Sequence, residues 1–279
     1  MVEIMKKSVI FAFLIACLSL TAVFAQSDMP KASGIVKKDL SSGEIDRIIK
    51  KFTENEKLFH EALTNYVFNR LATVQTIGMG GQVTGEYRRD SFMSLGQDGS
   101  RFEKVLFAPI ATTPPGMVTP EDLEDLGGVT PFALEPSAVS QYNFSYVGVE
   151  HIDELDLYVF DVTPKEIPDP KKTKLRLFTG RIWVDKADFM IVKSKGKAVP
   201  ETKVNKFPIV ETFRENIDGK YWFPTYAYAN DTLFFDKADA LHIRMKVKYT
   251  DYKVGHSDVK ILDDVPDAKP TPTPTPKKP

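Results

Sequence analysis

The chain has 279 residues, of which 27% are charged, and a formal net charge of -1. This balance argues against a nucleic-acid partner, because domains that bind nucleic acid usually concentrate basic residues on one surface. The single cysteine, Cys17, leaves the rest of the chain without a thiol for disulfides, metal ligation or nucleophilic catalysis. Stability must therefore come from packing, which a domain of roughly 200 residues or more permits by burying about 70% of its unfolded surface.

Residues 1–25 have the pattern of a secretory signal peptide. Lys6 and Lys7 give a positive start, residues 8–23 are mostly apolar, and residues 23–25 form a cleavage pattern that ends in alanine. We therefore expect signal peptidase to cleave after Ala25 and to release the protein into the periplasm.

A lipid anchor through Cys17 is the alternative for this segment. Residues 14–17, Leu-Ile-Ala-Cys, have the residue types that lipoprotein processing requires before a modified cysteine. Against this, more apolar residues follow Cys17, whereas an anchored cysteine is normally followed by a polar tether. An uncleaved anchor is a weaker prediction, because the apolar stretch falls short of the roughly 20 residues that span a bilayer.

The rest of the chain divides into one domain between two polar ends. Residues 26–40 have no hydrophobic period, so we expect a disordered tether. Residues 263–279 contain repeated Thr-Pro and Lys-Pro steps, which favour extended polyproline II and bury no apolar surface. We expect a disordered tail there and a single domain over residues 41–262.

The domain begins with an amphipathic helix. Apolar residues recur at spacings of three, four and seven from Ile45 to Tyr66, with lysine and glutamate between them. Ser41 and Glu44 have the spacing of a capping box at its start. The β-branched and aromatic residues that follow predict that the helix ends near Thr64.

Ten segments with strand character follow the helix, separated by turn signals rich in glycine, proline, asparagine and aspartate. This order predicts an α+β protein that is mostly antiparallel β, as a large sheet, sandwich or barrel. The predicted strands are Tyr66–Ile77, Gln82–Leu95, Arg101–Ala108, Tyr142–Glu150, Leu155–Thr163, Leu175–Asp185, Phe189–Ala198, Phe207–Ile217, Tyr221–Phe234 and Ala240–Val254.

Residues 109–141 interrupt the strand pattern with several prolines and glycines. Within a compact domain, an irregular insertion of this length is typically a functional lid or binding loop. A structural cover over an open end of the sheet is equally consistent with the sequence. The insertion is therefore interpreted as a lid, a docking surface or a cover.

The sequence contains no recognisable catalytic or metal site. Its four histidines are scattered, and none has metal-ligand spacing to another histidine or to the cysteine. The acidic residues 121–125 suit the first turn of a helix, where carboxylates complement the helix dipole. We therefore predict no enzyme activity, no metal and no cofactor.

Apolar residues on single strand faces are the clearest functional signal. From Leu241 to Tyr249, apolar and polar residues alternate, which predicts one dry face. Similar faces can be drawn on three other strands. These faces would either line an apolar cavity in a curved sheet or form an ordinary core. The candidate cavity residues are Ile182, Val184, Met190, Val192, Ile209, Phe213, Leu241, Ile243, Met245 and Val247.

One stretch of the chain resembles a known family. Residues 179–186 read Thr-Gly-Arg-Ile-Trp-Val-Asp-Lys, and Phe-Met-Ile-Val-Lys follows at residues 189–193, with Glu-Thr-Phe at 211–213. This pattern resembles the hairpin of the outer-membrane lipoprotein carrier superfamily, the LolA-like fold, in which a Trp-Val-Asp strand turns into an Ile-Val-Lys strand. Residues 218–224 are similar to the turn and strand that often follow in that family.

The resemblance implies an incomplete, curved β-barrel that encloses an apolar cavity. Helices would cover the open side of this barrel. Such a protein would be a periplasmic, non-enzymatic binding or transport protein for a lipid or lipoprotein acyl chain. The 109–141 insertion and the proline-rich tail have no place in the minimal carrier, so the resemblance is to a divergent member. Related folds also serve as envelope-stress regulators, and the alternative is therefore an envelope protein-interaction or stress-sensing module.

Overall fold

The computed structural model describes residues 34–95, 101–119, 122 and 134–255. The predicted signal peptide (1–25), the first part of the predicted tether and the predicted tail (263–279) lie outside the described residues. None of the helices in the described ranges is long and apolar enough to cross a membrane.

The helix α1 covers Ser42–Leu63 and is capped as its sequence predicts. The backbone N–H of Glu44 donates to Ser41 Oγ at 3.3 Å, and the Ser41 backbone N–H donates to Glu44 Oε2 at 3.0 Å. This reciprocal capping box satisfies two N–H groups that have no partner within the helix. The hydrogen bonds from Ser41 also lower the pKa of Glu44.

Ten antiparallel strands form a single sheet in the order β3-β2-β1-β10-β9-β8-β7-β6-β5-β4. Strands β3 and β4 are at opposite ends and do not pair, so the curved sheet is an incomplete barrel, and the predicted fold class is confirmed. The bounds are β1 Tyr66–Ile77, β2 Val83–Leu95, β3 Arg101–Phe107, β4 Tyr142–Ile152, β5 Leu155–Pro164, β6 Leu177–Asp185, β7 Ile191–Val199, β8 Val210–Ile217, β9 Tyr221–Leu233 and β10 Leu241–Val254.

Helix α1 packs on one face of the sheet, here called the inner face. The Phe52 ring lies 5.5 Å from Phe144 of β4 and 5.7 Å from Phe160 of β5, measured between ring centroids. About two helical turns further along α1, the ring centroid of Phe59 lies 5.7 Å from that of Phe223 of β9. Each buried phenylalanine contributes about 1.5–3 kcal/mol relative to an exposed one. These contacts hold the helix across the inner face from β4 to β9.

Part of the segment predicted to be a disordered tether pairs with the sheet instead. Val36 exchanges two backbone hydrogen bonds with Val149 of β4, with N···O distances of 2.8 and 2.9 Å. The close approach requires Gly148, because a Cβ atom there would lie 2.5 Å from the Val36 carbonyl oxygen. Residues 34–40 therefore begin the ordered domain, and the edge strand β4 gains a short partner.

The insertion between β3 and β4 connects the two opposite ends of the sheet. Its described residues end in a short 3₁₀ turn, Val139–Gln141, immediately before β4. A connection between these two strands must pass from one edge of the sheet to the other. The described residues 109–119, 122 and 134–141 belong to this connection.

Candidate ligand-binding cavity

A cavity of about 370 Å³ lies on the inner face between the sheet, α1 and the insertion. Small-molecule sites are typically about 300–1,000 Å³ in volume and mostly apolar. Its walls come mainly from β6, β7, β8 and β10, the loops that follow β7 and β9, and residues 116–119 of the insertion. Apolar side chains that line it include Val74, Met117, Val118, Leu134, Phe178, Ile182, Ile191, Phe207, Val210, Leu241, Ile243 and Met245.

Four of the ten residues predicted from the sequence lie in the cavity wall: Ile182 of β6 and Leu241, Ile243 and Met245 of β10. The side chains of Ile243 and Met245 are 6% and 2% exposed. The alternation along β10 therefore places its apolar residues on the inner face.

Three more predicted residues are buried on the inner face but outside the cavity wall. Val184 belongs to the cluster that contains Ile48 and Phe52 of α1. Met190 and Val247 belong to the cluster that contains Phe59 of the same helix. These three side chains form the packed core beneath α1, which is the ordinary interpretation of an apolar strand face.

The remaining three predicted residues are also outside the cavity wall. Val192 packs with Trp183 and Leu157 on the outer face. Phe213 of β8 is 37% exposed, and Ile209, which precedes β8, is 46% exposed.

On β7 and β8 the neighbouring residues line the cavity instead. Ile191 of β7 takes the inward position next to Val192, and Val210, Thr212 and Arg214 of β8 face the cavity. Apolar residues occur on both faces of these strands, so alternation alone does not determine which residues face inward. A register shift between Phe213 and Arg214 further disturbs the pattern.

A buried ion pair forms one wall of the cavity and was missed in the sequence. Arg214 donates from Nη1 to Glu56 Oε1 and from Nη2 to Glu56 Oε2, the latter at 3.1 Å. The two side chains are 10% and 1% exposed. The Arg214 guanidinium also lies 4.4 Å above the Phe59 ring. The pair is neutral overall, so neither of its two charges is buried without a partner.

The insertion is attached to the domain at three places around the cavity. Near its start, the Thr112 backbone N–H donates to the Glu86 carbonyl oxygen at 2.9 Å. In the middle, Arg176 Nη1 lies 3.2 Å from Asp122 Oδ1. Near its end, His60 Nδ1 of α1 lies 2.8 Å from Glu135 Oε1, and the adjacent Leu134 is 2% exposed and lines the cavity. These contacts hold the described part of the insertion against the domain, and residues 116–119, Asp122 and Leu134 contribute to the cavity wall.

The loop between β7 and β8 forms another part of the wall and is built by its own polar contacts. Glu201 Oε1 accepts a hydrogen bond from the Phe207 backbone N–H at 3.1 Å. The same oxygen forms an ion pair with Lys197 Nζ at 3.0 Å. Thr202 Oγ1 accepts the Asn205 N–H at 2.9 Å, while the Thr202 N–H donates to the Asn205 carbonyl oxygen at 2.9 Å. The loop therefore presents Asn205, Lys206 and Phe207 to the cavity in a defined conformation.

Glu103 and Asp185, whose pKa values are shifted, lie outside the cavity. The pKa of Glu103 is lowered to about 2, mainly by hydrogen bonds from Arg89, and burial raises the pKa of Asp185 in the β6–β7 turn. Neither residue lines the cavity. In the ranges that the structure describes, no group of three or more His, Cys, Asp or Glu side chains is arranged to hold a metal ion.

A scan against known protein families and a search of curated proteins found no match. Among solved structures, the chain is similar to a DUF1329 family protein from Desulfovibrio piger, with 14% identity, a TM-score of 0.36 and coverage of 74% of this chain and 93% of that chain. It is also similar to MucB, with 12% identity, a TM-score of 0.27 and coverage of 75% and 94%. A structure of MucB in complex with MucA(peri) gives 11% identity, a TM-score of 0.22 and coverage of 74% and 93%. All three TM-scores are below 0.5, so the likenesses assign neither a family nor a ligand to this chain.

Proposed function

We propose that this chain is a non-enzymatic periplasmic protein that binds or transports a lipid or lipoprotein acyl chain. The observation that carries the proposal is the apolar cavity of about 370 Å³ between the inner face, α1 and the insertion. The resemblance of residues 179–224 to the lipoprotein carriers supports the same ligand class. The predicted signal peptide supports a periplasmic location.

The physical chemistry of the wall suits an acyl chain. Burying one methylene group contributes about 0.8 kcal/mol, so even a short alkyl chain gains several kcal/mol inside an apolar wall. The charged groups deepest in the wall, Glu56 and Arg214, are hydrogen-bonded to each other, so neither requires a polar ligand as its partner. An alkyl chain can therefore enter without leaving a buried charge unpaired.

Filling the cavity tests this proposal. Ile243 lines the cavity and is outside the three packed clusters, so we expect Ile243→Trp to abolish ligand binding with little loss of stability. Val247 is fully buried in the core and does not line the cavity. Val247→Phe is the matched control, and it should retain binding while losing about 1–3 kcal/mol through overpacking.

Native mass spectrometry of the purified chains, together with urea unfolding, measures both properties. The wild-type chain should carry or take up an apolar ligand, Val247→Phe should do the same, and Ile243→Trp should not. If the wild-type chain binds no apolar ligand, the proposed function is wrong.

An envelope protein-interaction module is the second candidate, and the edge strand β3 favours it. Within the described sheet, β3 pairs with β2 alone. It exposes a run of apolar side chains, with Phe102 at 39%, Leu106 at 56% and Phe107 at 50% exposure. An edge strand of this kind can accept a strand from another protein. A stable protein complex that contains no lipid and is lost in Leu106→Lys would support this function over the first.

A further inference from the structure

The cavity wall contains five charged side chains among the described residues: Glu56, Asp122, Lys197, Lys206 and Arg214. Three are cationic and two are anionic. Their distribution between the interior and the loops indicates where a polar part of a ligand would be bound.

Four of these five charges already have partners of opposite charge. Arg214 pairs with Glu56, and Asp122 pairs with Arg176 at 3.2 Å. Lys197 Nζ lies 3.0 Å from Glu201 Oε1. Each of the three pairs is neutral, so none of them provides a net charge for a ligand.

Lys206 is the cation that remains. It is partly buried and lines the cavity, and it forms no ion pair with any residue that the structure describes. Its neighbours Asn205 and Phe207 are held by hydrogen bonds to Thr202 and Glu201. The Arg176 guanidinium also lies 4.6 Å above the Phe207 ring. The backbone on either side of Lys206 is therefore held in place, and no ion-pair partner of Lys206 is found among the residues that the structure describes.

We propose that the ligand is a single-chain amphiphile with an anionic head, whose head binds Lys206 while its alkyl chain lies against Ile182, Ile243 and Met245. The inference rests on the proposed function and specifies its ligand. An ammonium group on a fixed loop binds a carboxylate or phosphate by a charge-assisted hydrogen bond, and these are stronger than neutral ones. Because the ion pairs in the rest of the wall are neutral, the head has one preferred position.

The volume of the cavity sets the size of the ligand. Small-molecule sites typically measure about 300–1,000 Å³, and this cavity of about 370 Å³ is at the small end of that range. Its size therefore favours a ligand with one alkyl chain over a ligand with several.

Competition for a bound neutral dye, N-phenylnaphthylamine, tests the inference. Dodecanoate and dodecanol have the same alkyl chain but differ in the charge of the head. We expect dodecanoate to displace the dye at a concentration roughly tenfold lower than dodecanol, as expected for one hydrogen bond to a charged group. In Lys206→Met, which keeps the length of the side chain and removes its charge, the two ligands should compete equally.

Lys203→Met is the matched control. Lys203 is in the same loop but is exposed and does not line the cavity, so this variant should keep the preference for dodecanoate. Inorganic phosphate, which has the charge without the chain, should not compete with dodecanoate at comparable concentrations. Competition by phosphate would show that Lys206 binds a free anion without an alkyl chain, and it would overturn the inference.

The remaining outcomes separate the inference from the proposed function. Equal competition by dodecanol and dodecanoate in the wild-type chain, or an unchanged preference in Lys206→Met, overturns the anionic head but leaves acyl-chain binding intact. If the dye, dodecanol and dodecanoate all fail to bind, the proposed function fails, and the inference fails with it.

Discussion

Arg214 of β8 and Glu56 of α1 form a two-bond ion pair at the cavity wall, although they are 158 positions apart in the sequence. The pair joins the helix to the sheet at the place where the apolar contacts of α1 meet the cavity. A charge of either sign alone at this position would be buried without a partner. The pair therefore makes helix docking depend on both residues together.

Removing one partner of this pair should be strongly destabilising. We expect Arg214→Met to lower the free energy of unfolding by about 3–5 kcal/mol, because it leaves the Glu56 carboxylate buried and unpaired. The double variant Glu56→Leu/Arg214→Met should recover most of that loss. Urea unfolding of the single and double variants measures both effects.

An exposed pair on the same helix provides the control. Lys57 and Glu61 are 3.7 Å apart, and both side chains are 59% exposed. Lys57→Ala should cost about 0.5 kcal/mol or less. A similar loss for Arg214→Met would contradict the role of the buried pair.

Met245 combines two roles that Ile243 does not. It lines the cavity and also belongs to the packed cluster that contains Phe59. We therefore expect Met245→Trp both to reduce uptake of an apolar ligand and to lower stability by about 1–3 kcal/mol, through overpacking of the cluster. Thermal melting and native mass spectrometry of the same variant measure both effects.

A variant of the neighbouring residue, Lys246, tests whether the effect of a tryptophan depends on the face of β10 that carries it. Lys246 is exposed on the opposite face of β10. Lys246→Trp should change neither ligand uptake nor stability appreciably. If it impaired ligand uptake as much as Met245→Trp, the assignment of the inner face would be wrong.

Glu103 makes the stability of the β1–β3 end of the sheet depend on pH. Its carboxylate accepts hydrogen bonds from Arg89, at 2.9 Å to each oxygen, from Ser91 and from Arg70. The hydrogen bonds from Arg89 are the largest cause of a pKa of about 2, compared with an ordinary value of 4.5. Because the folded-state pKa is the lower one, this stabilisation is present above about pH 4.5 and is lost as the pH falls toward 2.

The effect is measured by urea unfolding of the wild-type chain and Glu103→Gln between pH 6 and about pH 2.5. The variant should be less stable at pH 6, because its neutral amide cannot replace the carboxylate between two guanidinium groups. The difference from wild type should shrink as the pH falls. If the difference in unfolding free energy between the two chains stays constant across this range, the pKa of Glu103 is not lowered in the folded protein.

Processing of the first 25 residues gives a prediction that needs no variant. Cleavage after Ala25 should give a periplasmic protein whose intact mass corresponds to a chain that starts at Gln26. Intact mass spectrometry of the protein made with its full leader measures this. A chain that starts at Cys17 with added acyl groups would instead establish the lipid anchor.

Local sequence patterns predict the elements of this fold closely. The residues Tyr66–Ile77 form β1 at the predicted bounds, and α1 begins after Ser41 and ends before Thr64 as its capping box and apolar period predict. These features depend on residues a few positions apart, whose hydrogen bonds and turn preferences are local. The same local patterns indicate that the sheet is antiparallel.

The site is less predictable because it depends on contacts distant in sequence. Arg214 faces inward and pairs with Glu56 of α1, and no local pattern relates these two residues. On β8 the apolar Phe213 faces outward beside Lys193, whose Nζ lies 5.0 Å from its ring centroid. The alternation of apolar residues along this strand does not indicate either contact.

The position of the first and last strands in the sheet has a consequence for the order of folding. Strand β1 is paired along its length with β10, where Val74 faces Met245, a separation of 245 - 74 = 171 residues. Until β10 has been synthesised, one edge of β1 has no strand partner, because the strands that precede the insertion pair with those that follow it only through β1 and β10 in the described sheet. Such long-range pairing folds slowly and exposes strand edges to aggregation. We therefore expect β1 to join the rest of the sheet only after the C-terminal strand has been completed.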